Sequence, residues 1–158
     1  MGIEIERKFL LANADWRRAV TRSVTMLQGY LASSESCSIR VRLTADEARL
    51  NIKSATLGIE RQEFDYALPK ADAEHMLRTL CGTRTLNKTR HFVMYAGQEW
   101  EIDEFAGTNA GLIVAEIELT HRDQTFSPPP WLGREVSDDV RYYNSRLVEF
   151  PYKDWAKP

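Results

Sequence analysis

The sequence predicts a mainly β protein of the α+β class, in which eight antiparallel strands close into a barrel around a polar tunnel and the helices pack outside. Three observations point there. Short segments with period-two alternation dominate, and turn-forming residues separate them. Within those segments charge falls on alternate positions, so one face of each strand is ionic and the other apolar. The ionic positions also repeat the same sign, as in Glu4/Glu6, Arg40/Arg42, Lys88/Arg90 and Glu116/Glu118.

Strands are expected near residues 2–10, 25–32, 37–44, 48–54, 60–68, 86–95, 98–105 and 111–120. In the first, Glu4, Glu6 and Lys8 share one face and Ile3, Ile5 and Phe9 the other, with Arg7 breaking the pattern. In the third, Arg40 and Arg42 alternate with Ile39, Val41 and Leu43; in the fourth, Lys53 takes the face opposite to Leu50 and Ile52. The fifth sets Arg61, Glu63 and Asp65 against Phe64, Tyr66 and Leu68. The sixth places Lys88 with Arg90, the seventh Glu101 with Asp103, and the eighth Glu116 with Glu118 against Ile113, Ile117 and Leu119.

Three helices are expected as packing elements. One is opened by Asn13 as N-cap, one runs from Pro69 to about Leu80 with Gly82 just beyond, and one spans Asp138 to Leu147. Ala96-Gly97 and Thr44–Glu47 read as hairpin turns, and Pro128 to Pro130 force an extended bend before Trp131.

Length and composition narrow the function. A chain of 158 residues is one domain's length, so a single domain over residues 1–158 is expected. The net charge of −2 gives no basic footprint for nucleic acid or anionic membrane, so any anion site is local. No apolar run approaches the roughly 18 residues of a membrane span. Charges begin at Glu4, and the two cysteines, Cys37 and Cys81, have no CxxC spacing, which together suit a reduced cytoplasmic setting. His75, His91 and His121 are scattered and suit structural roles.

An ordinary half-buried sheet also leaves a charged face in water, but such a face mixes signs. Like charges two apart on one face repel, and the cost is offset by a multivalent cation over the acids and a polyanion over the bases. With the ionic face turned inward, the interior would hold Lys8, Arg40, Arg42, Lys53, Lys88 and Arg90 as cations and Glu4, Glu6, Glu63, Asp103, Glu116 and Glu118 as anions. These are the candidate site residues.

Glu4-x-Glu6-x-Lys8 near the N-terminus resembles the signature of the CYTH superfamily, the triphosphate tunnel metalloenzymes. Gln28-Gly29-Tyr30-Leu31, Arg40-x-Arg42, Ile52-Lys53, Arg61-x-Glu63, Lys88-x-Arg90, Asp103-x-Phe105, Glu116-x-Glu118 and Arg141-Tyr142-x-Asn144 follow in the family's order. The stretch from Pro128 through Trp131, Gly133, Glu135 and Val136 is similar to small bacterial members that hydrolyse inorganic tripolyphosphate. The resemblance implies an eight-stranded tunnel, divalent-metal dependence and action on a substrate bearing a triphosphate. The His-Phe element that precedes the motif in the cyclase branch is absent, since Met1 and Gly2 stand before Ile3.

Hard oxygen ligands without a His/Cys cluster suit Mg²⁺ or Mn²⁺. Glu4, Glu6, Glu116 and Glu118 are expected to bind it, with Glu63 and Asp103 as direct or water-mediated partners. Lys8, Arg40, Arg42, Lys53, Lys88 and Arg90 are expected to grip phosphate oxygens, arginines by forked hydrogen bonds and lysines as compact charges. Glu4, Glu6, Lys8, Lys88, Glu116 and Glu118 form the expected catalytic set, and Tyr30, Tyr142 and Asn144 fall in family-like motifs beside it. The reading is hydrolysis of tripolyphosphate to diphosphate and phosphate. Its alternatives are a thiamine or nucleoside triphosphatase, a class IV adenylyl cyclase-like enzyme, and a non-catalytic module that binds polyphosphate or nucleotide.

Overall fold

A computed structural model describes residues 2–156. Its strands are β1 (Gly2–Leu11), β2 (Val20–Ser33), β3 (Cys37–Leu43), β4 (Ala48–Ser54), β5 (Glu60–Leu68), β6 (Thr85–Tyr95), β7 (Gln98–Phe105), β8 (Ile113–Leu119) and β9 (Leu132–Glu135). Hydrogen-bonded neighbours run β5-β4-β3-β2-β6-β7-β8-β1, and a further β5–β1 pairing closes these eight into an antiparallel ring. Residues Gly2–Ile5 of β1 pair with β5, and its far end pairs with β9 from Phe9 to Leu11. A ring has no free edge, so each of these eight strands is held on both sides.

The outward face carries two apolar clusters. One gathers Ile5, Phe9, Val93, Trp100, Ile102 and Ile117 beneath Trp16 and Trp131. The other lies under helix α1 (Lys70–Thr79), where Ala73, Leu77 and Cys81 cover Val41 and Ala48. Gly29 stands under that helix with its α-carbon facing it: a β-carbon there would lie 2.7 Å from both Cys81 Sγ and Leu77 Cδ2. Gly29→Ala is therefore expected to lower stability by about 1–3 kcal/mol, read as a drop in thermal midpoint. An unchanged midpoint would mean that α1 shifts freely.

A third apolar cluster sits inside the ring, where the sequence predicted only charge. Leu86 shares a face with Lys88 and Arg90, Phe105 with Asp103, Val114 with Glu116, and Leu10 with Lys8. At that end the inward face turns apolar and is plugged by Tyr142, Leu147 and Trp155 from the C-terminal segment. The helix expected from Asp138 to Leu147 is thus not an outer packing element. It breaks into a 3₁₀ turn at Val140–Tyr142, with Asp139 Oδ1 accepting from Arg141 N–H, and a short helix α2 (Asn144–Leu147), because Tyr143 between them is extended. The expected Asn13 helix is likewise a 3₁₀ turn, Asp15–Ala19, and Asn13 Oδ1 accepts from the Asp15 N–H at 2.9 Å. Strand β2 starts at Val20, earlier than expected, and β9 was not anticipated. Among the described residues no helix is long and apolar enough to cross a membrane.

Candidate active site

The ionic faces enclose a cavity of about 190 Å³. Five of the six expected acids (Glu4, Glu6, Glu63, Glu116 and Glu118) line it, as do all six expected bases (Lys8, Arg40, Arg42, Lys53, Lys88 and Arg90). Strand register decides which of them meet. Lys8 stands directly opposite Glu116, and Glu6 opposite Glu118, across β1 and β8. Glu4 faces Arg61 across β1 and β5, and Lys53 faces Glu63 across β4 and β5.

The resulting contacts form two ion-paired groups. In the first, Lys53 Nζ lies 2.9 Å from Glu4 Oε2 and 3.4 Å from Glu63 Oε2, and Arg61 Nη2 lies 3.7 Å from Glu4 Oε2. In the second, Glu116 is 3.6 Å from both Lys8 Nζ and Arg90 Nη2, and Arg90 Nη1 is 2.6 Å from Glu101. Lys88 Nζ donates to Asp103 Oδ2 at 2.7 Å and to Asn144 Oδ1 at 3.0 Å. Gln28 donates to the same Asn144 oxygen and accepts from Arg42 Nε, so α2 is tied into the cation cluster.

Asp103 departs from its expected role as a metal partner. It does not line the cavity, it is fully buried, and both its oxygens accept from Arg90 and Lys88 at 2.7–3.0 Å. It stands two residues nearer the apolar plug than Glu101, where it holds the two cations. Arg61 and Glu101 were outside the expected set yet line the cavity, and the parity that selected Glu63 and Asp103 also selects them. Tyr143 and Ser137 line it too, from a segment without strand alternation, so no periodic signal marks them. Of the three motif residues, Tyr30 and Asn144 line the cavity, while Tyr142 packs in the plug with its ring 5.0 Å from that of Trp155.

Burial works against every charge here, and neighbours decide which survive. Burial pushes the Glu4 carboxyl up, but Lys53 and Arg61 overcome it and hold the group down at about 2. Burial likewise opposes ionised Asp103 and Glu116, yet Arg90 with Lys88, and Lys8, hold them below their ordinary range. Glu6 goes the other way: burial, then Glu116 and Glu4, raise it well above the usual carboxylate value. Glu118 is raised by burial and then by Glu4 and Glu63. Among the bases, burial pulls Lys88 down to about 7 despite Asp103, and burial with Arg40 and Arg90 brings Arg42 to about 10.

These residues fit a hard divalent cation. Glu6 and Glu118 oppose each other on adjacent strands, a destabilising placement for like charges unless a cation lies between. Buried Glu4 Oε2 accepts no hydrogen bond despite the nearby Lys53. No three acidic, His or Cys side chains among the described residues form a ready cage, because Glu4 and Glu116 lean on their basic neighbours. All the donors offered are carboxylate oxygens, the set that Mg²⁺ and Mn²⁺ take.

A closed antiparallel ring with converging cations at its centre and an opposed carboxylate pair beside them defines a tunnel-type site for a polyanion. The CYTH domain model matches residues 2–144, and the chain belongs to that family. It is 41% identical over 157 residues to an inorganic triphosphatase of Acetivibrio thermocellus, covering 99% of this chain and 100% of that protein. A second inorganic triphosphatase, of Nitrosomonas europaea, is 37% identical over 149 residues, 92% of this chain and 96% of its own. Among solved structures, that of an inorganic triphosphatase superposes with a TM-score of 0.68 at 35% identity, covering 92% of this chain and 97% of the other. A protein from Pyrococcus horikoshii OT3, 18% identical with a TM-score of 0.60 over 76% of this chain and 80% of its own, shares the fold.

Proposed function

We propose that the protein is a cytoplasmic, divalent-metal-dependent triphosphatase that cleaves inorganic tripolyphosphate to diphosphate and phosphate. The observation that carries this is the convergence of seven lysines and arginines with the opposed Glu6/Glu118 pair on one small cavity. A volume of about 190 Å³ is below the roughly 300–1,000 Å³ of pockets that hold larger organic ligands, and its lining suits a compact polyanion. Full-length likeness to two inorganic triphosphatases supports the same substrate class.

Phosphoryl transfer asks a protein mainly for positioning and charge stabilisation. Arg40, Arg42 and Arg90 present forked donors to phosphate oxygens, and Lys8, Lys53 and Lys88 add point charges. The buried Asp103 fixes Lys88 and Arg90 from behind, so both keep their aim while the substrate is absent. As the bridging oxygen leaves, these cations stabilise the charge that collects on diphosphate. Glu4, Glu6, Glu116 and Glu118 would hold Mg²⁺ or Mn²⁺, with Glu63 beside them. Such an ion supplies Lewis acidity to the phosphate oxygens and to an attacking water. Substrate and ion together give each acid and base a partner of opposite sign, which replaces the internal pairs of the free protein.

The test is phosphate release from tripolyphosphate, thiamine triphosphate and ATP, each with Mg²⁺, Mn²⁺ or EDTA. Tripolyphosphate is expected to be cleaved fastest, only with metal, and not by Glu116→Gln. No release from any of the three with either metal would overturn the reading.

A further inference from the structure

The 190 Å³ cavity has a neighbour. A second pocket of about 460 Å³ opens at the barrel mouth and shares Ser38, Arg61, Tyr143 and Ser145 with the first. Of these four, Tyr143 brings the largest body and ties two chain segments together. Its hydroxyl donates to the Ser137 carbonyl at 2.9 Å and accepts from the Gly58 N–H at 3.2 Å. Gly58 belongs to the loop between β4 and β5, and its φ of +99° is a conformation that a side chain would strain. The loop is thereby latched to the C-terminal segment across the mouth. The tyrosine ring also faces the cavity's cations, 5.2 Å from Lys8 Nζ and 6.0 Å from the Arg61 guanidinium.

The second pocket has a different chemistry. Arg146 and Glu149 in its lining pair with each other at 3.2 Å, Ser33, Ser34, Ser54 and Thr56 bring hydroxyls, and Leu57 and Val140 expose apolar surface at 68% and 37%. Its size falls within the range of organic-ligand sites. A sugar and base would suit it, whereas a bare phosphate chain would leave its apolar surface uncovered.

Building on the triphosphatase reading, we infer that Tyr143 is the specificity-determining wall of the site. It separates the ionic cavity from the mouth pocket and so favours a bare phosphate chain over a triphosphate bearing a nucleoside. Removing the ring joins the two spaces in line, with Arg61 at their junction. The nucleoside end then has room while the phosphates keep the cations.

The test compares tripolyphosphate with ATP in the wild type, Tyr143→Phe and Tyr143→Ala, as the ratio of their kcat/KM values. Tyr143→Ala is expected to shift that ratio at least about tenfold toward ATP, chiefly through a lower KM for ATP. Tyr143→Phe, which frees the Gly58 latch but keeps the ring, should shift it less. Binding is read separately, as the rise in melting temperature that each compound produces in EDTA. If the alanine variant does not fold, Tyr143→Leu takes its place. An unchanged ratio together with unchanged relative melting shifts would overturn the wall. If instead the wild type cleaves nothing but the variant gains ATP binding, the triphosphatase reading fails and the wall stands.

Discussion

Glu6→Gln is expected to cut tripolyphosphate hydrolysis on the order of 10²–10³-fold, the size of effect seen on removing one electrostatic element of a transfer site. The same change should raise the melting temperature of the metal-free protein. Glu6 stands opposite Glu118, near Glu116 and Glu4, so the wild type carries a repulsion that the amide lacks. At about 0.2–1 kcal/mol per like-charged pair, and about 2–4 °C per kcal/mol in a domain of this size, the gain is a few degrees at most. Its pH dependence has a definite sign. Burial and the neighbouring acids raise the folded Glu6 pKa above the ordinary 4.5. Glu6 therefore lends stability that is whole below pH 4.5 and is lost as pH rises through the folded value. The amide's advantage should be absent at pH 4 and grow toward neutrality. Melting curves across pH in EDTA check this, and adding Mg²⁺ with tripolyphosphate should stabilise the wild type more than the variant. Full activity in Glu6→Gln would remove Glu6 from the metal-binding set.

Parity makes most of this site legible in the sequence itself. Once a strand's register is given, alternate residues must share a side, so Glu4, Glu6 and Lys8, or Arg40 and Arg42, could be assigned together. The same parity covers Arg61 and Glu101, which line the cavity although the expected set omits them. Glu4, the partner of Arg61 across the β1–β5 ladder, is set by ring closure, a long-range property that no local pattern carries, whereas Glu101 meets Arg90 across the β6–β7 hairpin.

The C-terminal segment after β8 was harder to read. From Pro128 to Trp155 the chain has little regular structure, so periodicity is silent. Residues 138–147 have helical content, yet Tyr143 is pulled extended by its hydroxyl contacts with Gly58 and Ser137, a tertiary effect that overrides propensity. The apolar plug of Tyr142, Leu147 and Trp155 explains why Leu10, Leu86 and Val114 sit on faces that otherwise carry charge. In sequence these residues only blur the alternation.

Asp103→Asn is expected to have the largest effect on stability. Asp103 is fully buried and accepts three hydrogen bonds from Lys88 and Arg90, so neutralising it leaves two buried cations without their main anion. Removing one partner of a buried pair costs about 3–5 kcal/mol, which at about 2–4 °C per kcal/mol is a fall of about 6–20 °C in melting temperature. Lys88→Met should cost less, since Arg90 still gives Asp103 two bonds. Burial resists ionised Asp103, but Arg90 and Lys88 hold its folded pKa below the ordinary 3.8. Its stabilisation is therefore complete above about that pH and is lost as pH falls toward the folded value. The gap between wild type and Asp103→Asn should be widest near neutrality and narrow below pH 3.8. Activity should fall as well, because Lys88, drawn down to about 7 by burial even beside Asp103, would give up its proton without it. Thermal melts from pH 3 to 8 decide the matter. A variant that melts like the wild type yet needs far more Mg²⁺ for turnover would return Asp103 to the metal and take it from the cations.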